Sequence, residues 1–237
     1  LIGNDLVDLL AREAAGKSRD ARFVKRVFTE REAEWVARAA NPDRALWTLW
    51  AAKEAAYKVA KKLRAGTIFA HSRFEVAVDS LLSGIESGGE STHLSGYVLV
   101  QRIPGLERRR FPLEWTTSSS FIHCVAMDGE GDFHSLKVAI ARRDDLDRTG
   151  ADYHPTAREQ ASITRARSAE SLAVRRLARA LASEAGLGEV EIVREHVGVE
   201  LGPPRLYPRE GALPLAGWDI TLSHDGSMVA AVLARCI

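Results

Sequence analysis

Apolar and polar positions recur along this chain with two periods, and each predicts an element. Residues 1–9 form an apolar run that carries Asp5 and Asp8 towards its end, the pattern of a buried strand that leads into a helix. Thr29-Glu30-Arg31-Glu32 is a capping box, so a helix is expected from Thr29 to about Ala39. Asn41-Pro42-Asp43 interrupts it, with Asp43 as the expected cap of the next helix and Gly66 as its closing residue. That next helix contains WAAKEAAYKVAKK, residues 50–62, rich in alanine and free of glycine and proline. From Arg73 the period shortens to two. Phe74–Val78, Gly96–Ile103, Phe111–Thr117 and Phe121–Met127 read as strands, and Ser83–Gly96 as a loop.

Asp128-Gly129-Glu130-Gly131-Asp132 is a turn-rich break and the expected boundary between residues 1–132 and 133–237. Beyond it, His134–Arg142 reads as a strand and Asp144–Arg158 as a polar stretch that leads into a helix. Ser168–Ala185 reads as a long amphipathic helix that closes at Gly186. Val190–Val193 and Val197–Leu201 are short extended pieces, and Gly202-Pro203-Pro204-Arg205 a rigid turn. Trp218–Ser223 and Met228–Ala234 make a hairpin around His224-Asp225-Gly226-Ser227. The two parts follow one order, and Leu113–Met127 aligns loosely with Asp219–Leu233: in each, a serine-containing turn separates two apolar strands. The expected fold is therefore α+β, a pseudo-dimer of two similar halves, each with a long helix on a small antiparallel sheet. A ligand is expected in the seam.

Composition narrows the function without choosing it. Net charge is +1, so no global field marks a nucleic-acid partner. Lys17, Arg19, Arg22, Lys25 and Arg26 stand against the single acid Asp20, a local cationic run that is either a solvated face or a docking patch. The two cysteines, Cys124 and Cys236, have neither metal spacing nor a disulfide framework, which fits a reducing cytoplasm. No apolar run approaches the roughly 20 residues that span a bilayer, and no signal-like start is present. The chain begins at Leu1 instead of Met, so the native N-terminus is expected to be missing or processed.

Glu54 and Lys58 lie four residues apart on one helical face, extended backwards by Trp47 and Ala51. Taken alone, this is an ordinary solvated ion pair. Taken with the N-terminal strand, it resembles the 4′-phosphopantetheinyl transferases, whose pattern is G-x-D-x-x-[DE] followed by [FW]-x-x-K-E-[AS]-x-x-K. Gly3, Asp5 and Asp8 match the first motif; Trp50, Lys53, Glu54, Ala55 and Lys58 match the second. The second half resembles the first half of the surfactin-synthetase-activating type. It shares the arginine-rich long helix, a G-x-P-x-[LF] turn at Gly202, Pro204 and Leu206, and an S-H-[SD]-G turn at Ser223, His224, Asp225 and Gly226. The halves would then stand in permuted order. The resemblance says least about residues 79–112.

The resemblance implies transfer of the phosphopantetheine arm of coenzyme A to a serine of an acyl or peptidyl carrier protein, with release of adenosine 3′,5′-bisphosphate. Charge on the pyrophosphate must be neutralised, and Mg²⁺ is suited to this because it binds one or two carboxylates and completes its shell with phosphate and water. Asp5 and Glu54 are the implied ligands, and Lys58 the cation one turn further on. Lys53 would contact phosphate from the side, Ser223 and His224 would contact the coenzyme's phosphates, and Arg167 stands where the family often has an arginine for the 3′-phosphate. In the surfactin type the residue two after the first aspartate is a third acidic ligand; here it is Val7. Asp8 cannot take over, because neighbouring strand residues face opposite ways, so two protein ligands are expected. The base is Glu54 or a water on the metal. Ser223-His224-Asp225 is no catalytic triad, since its members are consecutive and a triad needs a spatial relay.

Two rivals remain at this level: a non-catalytic relative that binds carrier protein or coenzyme A without transfer, and an interaction protein in which Glu54–Lys58 is a surface pair. The pathway served, whether fatty acid, polyketide or non-ribosomal peptide, is left open. A monomer is expected, because an internal pseudo-dimer has less need to assemble.

Overall fold

The computed structural model describes residues 1–77, 92–148, 153–163, 168–198 and 200–236. Strand β1 (Ile2–Asp8) opens the chain, followed by 3-10 turns at Arg12–Ala14 and Lys17–Arg19. Helices α1 (Ala21–Val27), α2 (Glu30–Arg38) and α3 (Pro42–Leu63) come next, then strands β2 (Phe74–Val76), β3 (Thr92–Val100), β4 (Arg110–Thr117) and β5 (Phe121–Met127). These strands form one antiparallel sheet in the order β1-β5-β4-β3-β2. Helix α3 lies across it. Small residues such as Ala52, Ala55, Ala56 and Ala60 are buried there against Phe74, Phe111, Trp115 and Ile122.

The remaining chain holds β6 (Lys137–Arg142), α4 (Arg143–Arg148), α5 (Ala157–Ala161), α6 (Ser168–Glu184), β7 (Val190–Val197), β8 (Glu200–Pro208), β9 (Trp218–Asp225) and β10 (Met228–Arg235). A three-stranded antiparallel sheet, β6-β10-β9, and a β7-β8 ribbon share a second core with α6, built on Val174, Leu177, Leu181, Ile192 and Val229. Two smaller apolar groups join the layers: Ile2, Val125 and Met127 with Val232 and Ala234, and Leu6 with Met228 and Ala230. The architecture is α+β with every sheet antiparallel.

Several local expectations need correction. The first strand leads into two 3-10 turns, not into a helix. Asp43 does not cap α3. Asn41 accepts the Arg44 N–H at 3.0 Å with Pro42 in the first turn, while Asp43 accepts the N–H groups of Gly16 and Ser18 at 2.7 Å each. Proline's fixed φ starts the helix two residues earlier than expected and frees Asp43 to pin the preceding loop. Helix α3 stops at Leu63 with Arg64 extended, so Gly66 is not its closing residue. Gly202-Pro203-Pro204-Arg205 lies inside β8 and is no turn; the strand belongs to a two-stranded ribbon with a register shift between Arg194 and His196, a setting that tolerates proline. The described part of the expected loop at 83–96 is strand from Thr92 onward; the rest lies outside the described residues. The Thr29 capping box and the Gly186 closure form as read, with Gly186 at φ 78°.

Candidate active site

Strand β1 is buried along its whole length because it is used on both faces and both edges. Val7 packs into the α3 core, whereas Ile2 and Leu6 join the apolar groups against β10. One edge pairs with β5. The other has no strand partner, yet a buried amide without one is costly. Side chains of β9 fill the place of a ladder. The Ile2 N–H donates to Asp219 at 2.8 Å, Asn4 to Thr221 at 3.2 Å, Leu6 to Ser223 Oγ at 3.1 Å and Asp8 to Asp225 at 2.8 Å. Two lysines of α3 complete the edge. Lys62 Nζ donates to the Ile2 carbonyl at 2.7 Å and to Asp219 at 2.8 Å; Lys58 Nζ donates to the Asn4 carbonyl at 2.6 Å. The two layers are thus stitched by alternate residues of two strands that run side by side.

The first motif owes its glycine to close approach. A Cβ on Gly3 would stand 2.2 Å from the Ala55 carbonyl oxygen of α3, so only glycine lets β1 reach the helix. Period two then places Asp5 on the α3 face, where Lys58 Nζ donates to its Oδ1 at 3.0 Å and Ser223 Oγ donates to the same atom at 3.0 Å. Asp8 faces the other way, as expected. Its Oδ2 accepts from the Ser227 N–H at 2.9 Å and from the Ser227 hydroxyl at 2.8 Å, and so holds the β9–β10 turn.

Asp5, Glu54, Lys58 and His224 line one cavity of about 540 Å³ at the seam, together with Trp47 and Trp50. Burial raises the Asp5 carboxyl, opposed by Lys58 and Ser223. Burial, then the neighbouring Asp5 charge, raises Glu54 to about 7. Asp5 and Glu54 share one lysine, and Glu13 and Asp225 also line the cavity, so bringing both buried carboxyls to the charged form calls for added positive charge. That donor set fits a hard divalent cation held by two carboxylates, with the rest of its shell left to ligand oxygens. Val7 also lines the cavity, at the place of the surfactin type's third acid. Among the described residues no group of three or more potential metal ligands occurs.

Not every expected residue belongs here. Lys53 is fully buried and points away from the cavity: its Nζ donates to Glu32 Oε2 at 2.8 Å, to the His71 carbonyl at 3.2 Å and to the Phe74 carbonyl. One residue step along a helix turns a side chain by about 100°, which carries Lys53 from the Glu54 face to the α2 side. A direct phosphate contact is excluded by this burial. Ser223 reaches the cavity wall, but it is only 4% exposed and its hydroxyl already serves Leu6 and Asp5. It holds Asp5 in place and is not a free donor to phosphate. Arg167 lies outside the described residues.

Glu13, an exposed acid on the 3-10 turn after β1, lines the cavity and was not read from the sequence. Trp47 Nε1 fixes that turn by donating to the Ala14 carbonyl at 2.8 Å. No spacing rule marks Glu13, since the turn's position depends on this tertiary contact.

Fold and cavity together define an antiparallel α+β protein with a carboxylate–lysine site at the junction of two layers. Residues 1–98 match the family model described as the 4′-phosphopantetheinyl transferase superfamily. Among curated proteins none matches the chain.

Proposed function

We propose that the protein is a Mg²⁺-dependent 4′-phosphopantetheinyl transferase acting on coenzyme A and a carrier-protein serine, in a reducing, cytoplasmic setting. The observation that carries this reading is the convergence of Asp5, Glu54 and Lys58 from β1 and α3 on one cavity that His224 of β9 also lines. The overall plan is a pseudo-dimer in permuted order; in support, each half has a capping-box helix, a long helix and a closing hairpin. In the reaction the serine oxygen forms a bond to the β-phosphorus, its proton passing to Glu54 or to a water in the site, while the bond to the adenosine 3′,5′-bisphosphate oxygen breaks. Asp5 and Glu54 would hold Mg²⁺, which when bound supplies positive charge to the pyrophosphate. Lys58 adds a fixed cation, oriented by the Asn4 carbonyl. Ser223 fixes the Asp5 carboxylate through its hydroxyl. Trp47 and Trp50 wall the cavity beside them. The test is mass spectrometry of an apo carrier protein with coenzyme A and Mg²⁺: a gain of one phosphopantetheine supports the reading. Coenzyme A binding without mass gain on any of the three carrier classes would favour the non-catalytic relative.

His224 lines the cavity from β9, and in this reading it meets the coenzyme from the second layer. His224→Ala is expected to raise KM for coenzyme A about tenfold and to change kcat less than threefold, because a ground-state phosphate contact is uniform binding. Unchanged KM in steady-state assays counts against that assignment.

The cationic run is only partly helical. Asp20 caps α1, so Arg19 sits in the turn before it, while Arg22 and Arg26 share an exposed α1 face and Phe23 and Val27 turn inward. Lys17 is already paired with Asp20 at 2.8 Å. Carrier proteins are typically acidic around the modified serine, which makes this face the proposed dock. Reversing the charges of Arg19, Arg22 and Arg26 together should slow carrier association about tenfold and flatten its salt dependence, with coenzyme A binding retained. Stopped-flow rates at two ionic strengths check this; a parental rate and slope would remove the docking role.

A further inference from the structure

The lysine of the K-E motif is buried away from the cavity, and the other half of the molecule shows what such a cation does. In the first layer Glu32 is the third residue of α2 and fully buried. Its Oε2 accepts the Thr29 N–H at 2.8 Å and Lys53 Nζ at 2.8 Å; its Oε1 accepts the N–H of Val76 in β2 at 2.8 Å. In the second layer Glu159 is the third residue of α5 and equally buried. Its Oε2 accepts the Thr156 N–H at 3.1 Å and the Arg179 guanidinium; its Oε1 accepts the N–H of Ile192 in β7 at 2.9 Å. In both layers one carboxylate closes a short helix, holds a strand amide and grips a cation on the long helix; Glu159 in addition accepts the Tyr153 hydroxyl at 3.0 Å and Arg179 Nε at 3.2 Å. The separations are alike, 21 residues from Glu32 to Lys53 and 20 from Glu159 to Arg179.

The chemistry does not recur with it. Counting on from Lys53 and Arg179, Ala180 stands in the place of Glu54, and Glu184 in the place of Lys58. Strand β6, KVAIAR, pairs with β10 as β1 pairs with β5, and it has no acid in the role of Asp5. The glutamate–cation clamp therefore persists in a half that lacks the carboxylate pair, so it belongs to the architecture.

We propose that Lys53 is a positioning residue: gripped by Glu32, it sets the rotation of α3 that turns Glu54 and Lys58 into the cavity, and it does not touch substrate. Around Lys53 the buried face of α3 is alanine, Ala51, Ala52, Ala55 and Ala56, which gives little side-chain relief to lock the helix phase there. A buried ion pair with fixed partners supplies that lock, since a rotation of α3 would strand both charges. The clamp stands on geometry alone; its kinetic readout rests on the transferase reading.

The experiment compares Lys53→Arg, Lys53→Met and the double variant Glu32→Gln/Lys53→Met. The readouts are kcat, KM for coenzyme A, Mg²⁺ binding by calorimetry, and the near-UV circular dichroism of Trp47 and Trp50 on the same helix. Lys53→Arg is expected to keep most of the kcat, because Arg179 makes the same contact in the second layer. Lys53→Met should lower kcat at least tenfold, leave KM for coenzyme A within twofold, weaken Mg²⁺ binding at least tenfold and alter the tryptophan signal. If Lys53→Met fails to fold because Glu32 is left charged and buried, the neutral double variant carries the test with the same expected losses. A KM raised tenfold or more with kcat kept in either methionine variant would overturn the proposal in favour of a phosphate contact, as would parental kcat, Mg²⁺ binding and tryptophan signal. If the parent neither transfers nor binds Mg²⁺, the transferase reading fails by itself. The clamp is then judged on the tryptophan signal, which Lys53→Met must change and Lys53→Arg must keep.

Discussion

Glu54→Gln is expected to lower phosphopantetheine transfer by about a thousandfold or more and, in the absence of divalent cation, to make the fold more stable above pH 7. The two effects share one cause. Glu54 titrates near 7 in the folded protein because it is buried beside Asp5, against an ordinary value of 4.5. A folded pKa raised above the unfolded one contributes stability that is complete below about pH 4.5 and lost as the pH rises through about 7. Glutamine keeps the uncharged form at every pH, so the variant escapes this loss, which is on the order of 3 kcal/mol at pH 8. Saturating Mg²⁺ should reverse the order, since a cation favours the parent's carboxylate pair and adds stability by mass action. Thermal denaturation at pH 5 and pH 8, with and without Mg²⁺, reads the stability. Transfer is read by carrier mass. Retained transfer would remove Glu54 from the site, and equal stability at pH 8 would remove the buried carboxylate pair. Asp5→Asn should lose transfer to a similar degree.

Gly3→Ala is expected to cost about 3 kcal/mol of stability and at least a hundredfold in transfer. The added Cβ would stand 2.2 Å from the Ala55 carbonyl oxygen and 3.0 Å from both Lys58 Cβ and Val59 N. The first of these is helix backbone, which cannot swing aside as a side-chain tip can, so overpacking costs at the upper end of its usual range. Strand β1 cannot retreat freely either, being tied to β5 on one edge and to β9 side chains on the other. The shift must therefore displace Asp5 from Lys58, and displacements near 1 Å cost on the order of a hundredfold in rate. Gly66→Ala is the control, because nothing lies within 4 Å of a Cβ there. Urea unfolding and the carrier assay check both variants. A Gly3→Ala protein with the parental midpoint and parental transfer would show that the strand–helix approach is looser than described.

Local rules and short motifs made much of this protein legible in advance. Period-two alternation located β4, an apolar run β5, the capping box at Thr29 located α2, and Gly186 closed α6, because each depends on neighbours a few residues away. The same locality put Glu54 and Lys58 on one helical face and set Asp5 and Asp8 on opposite faces of a strand. Tertiary structure alone decided the rest. Lys53 and Glu54 are adjacent in sequence, yet one enters an ion pair with Glu32 in the core and the other a cavity, and tertiary packing decides which way each faces. Ser223 was legible as a turn serine, but its duty to Leu6 and Asp5 arises from two strands more than 200 residues apart in sequence. Glu13 reaches the cavity because Trp47 holds its turn. Periodicity and capping are written in side chains and backbone a turn or less apart, whereas the free edge of β1 had to be satisfied by whatever the folded chain brought beside it.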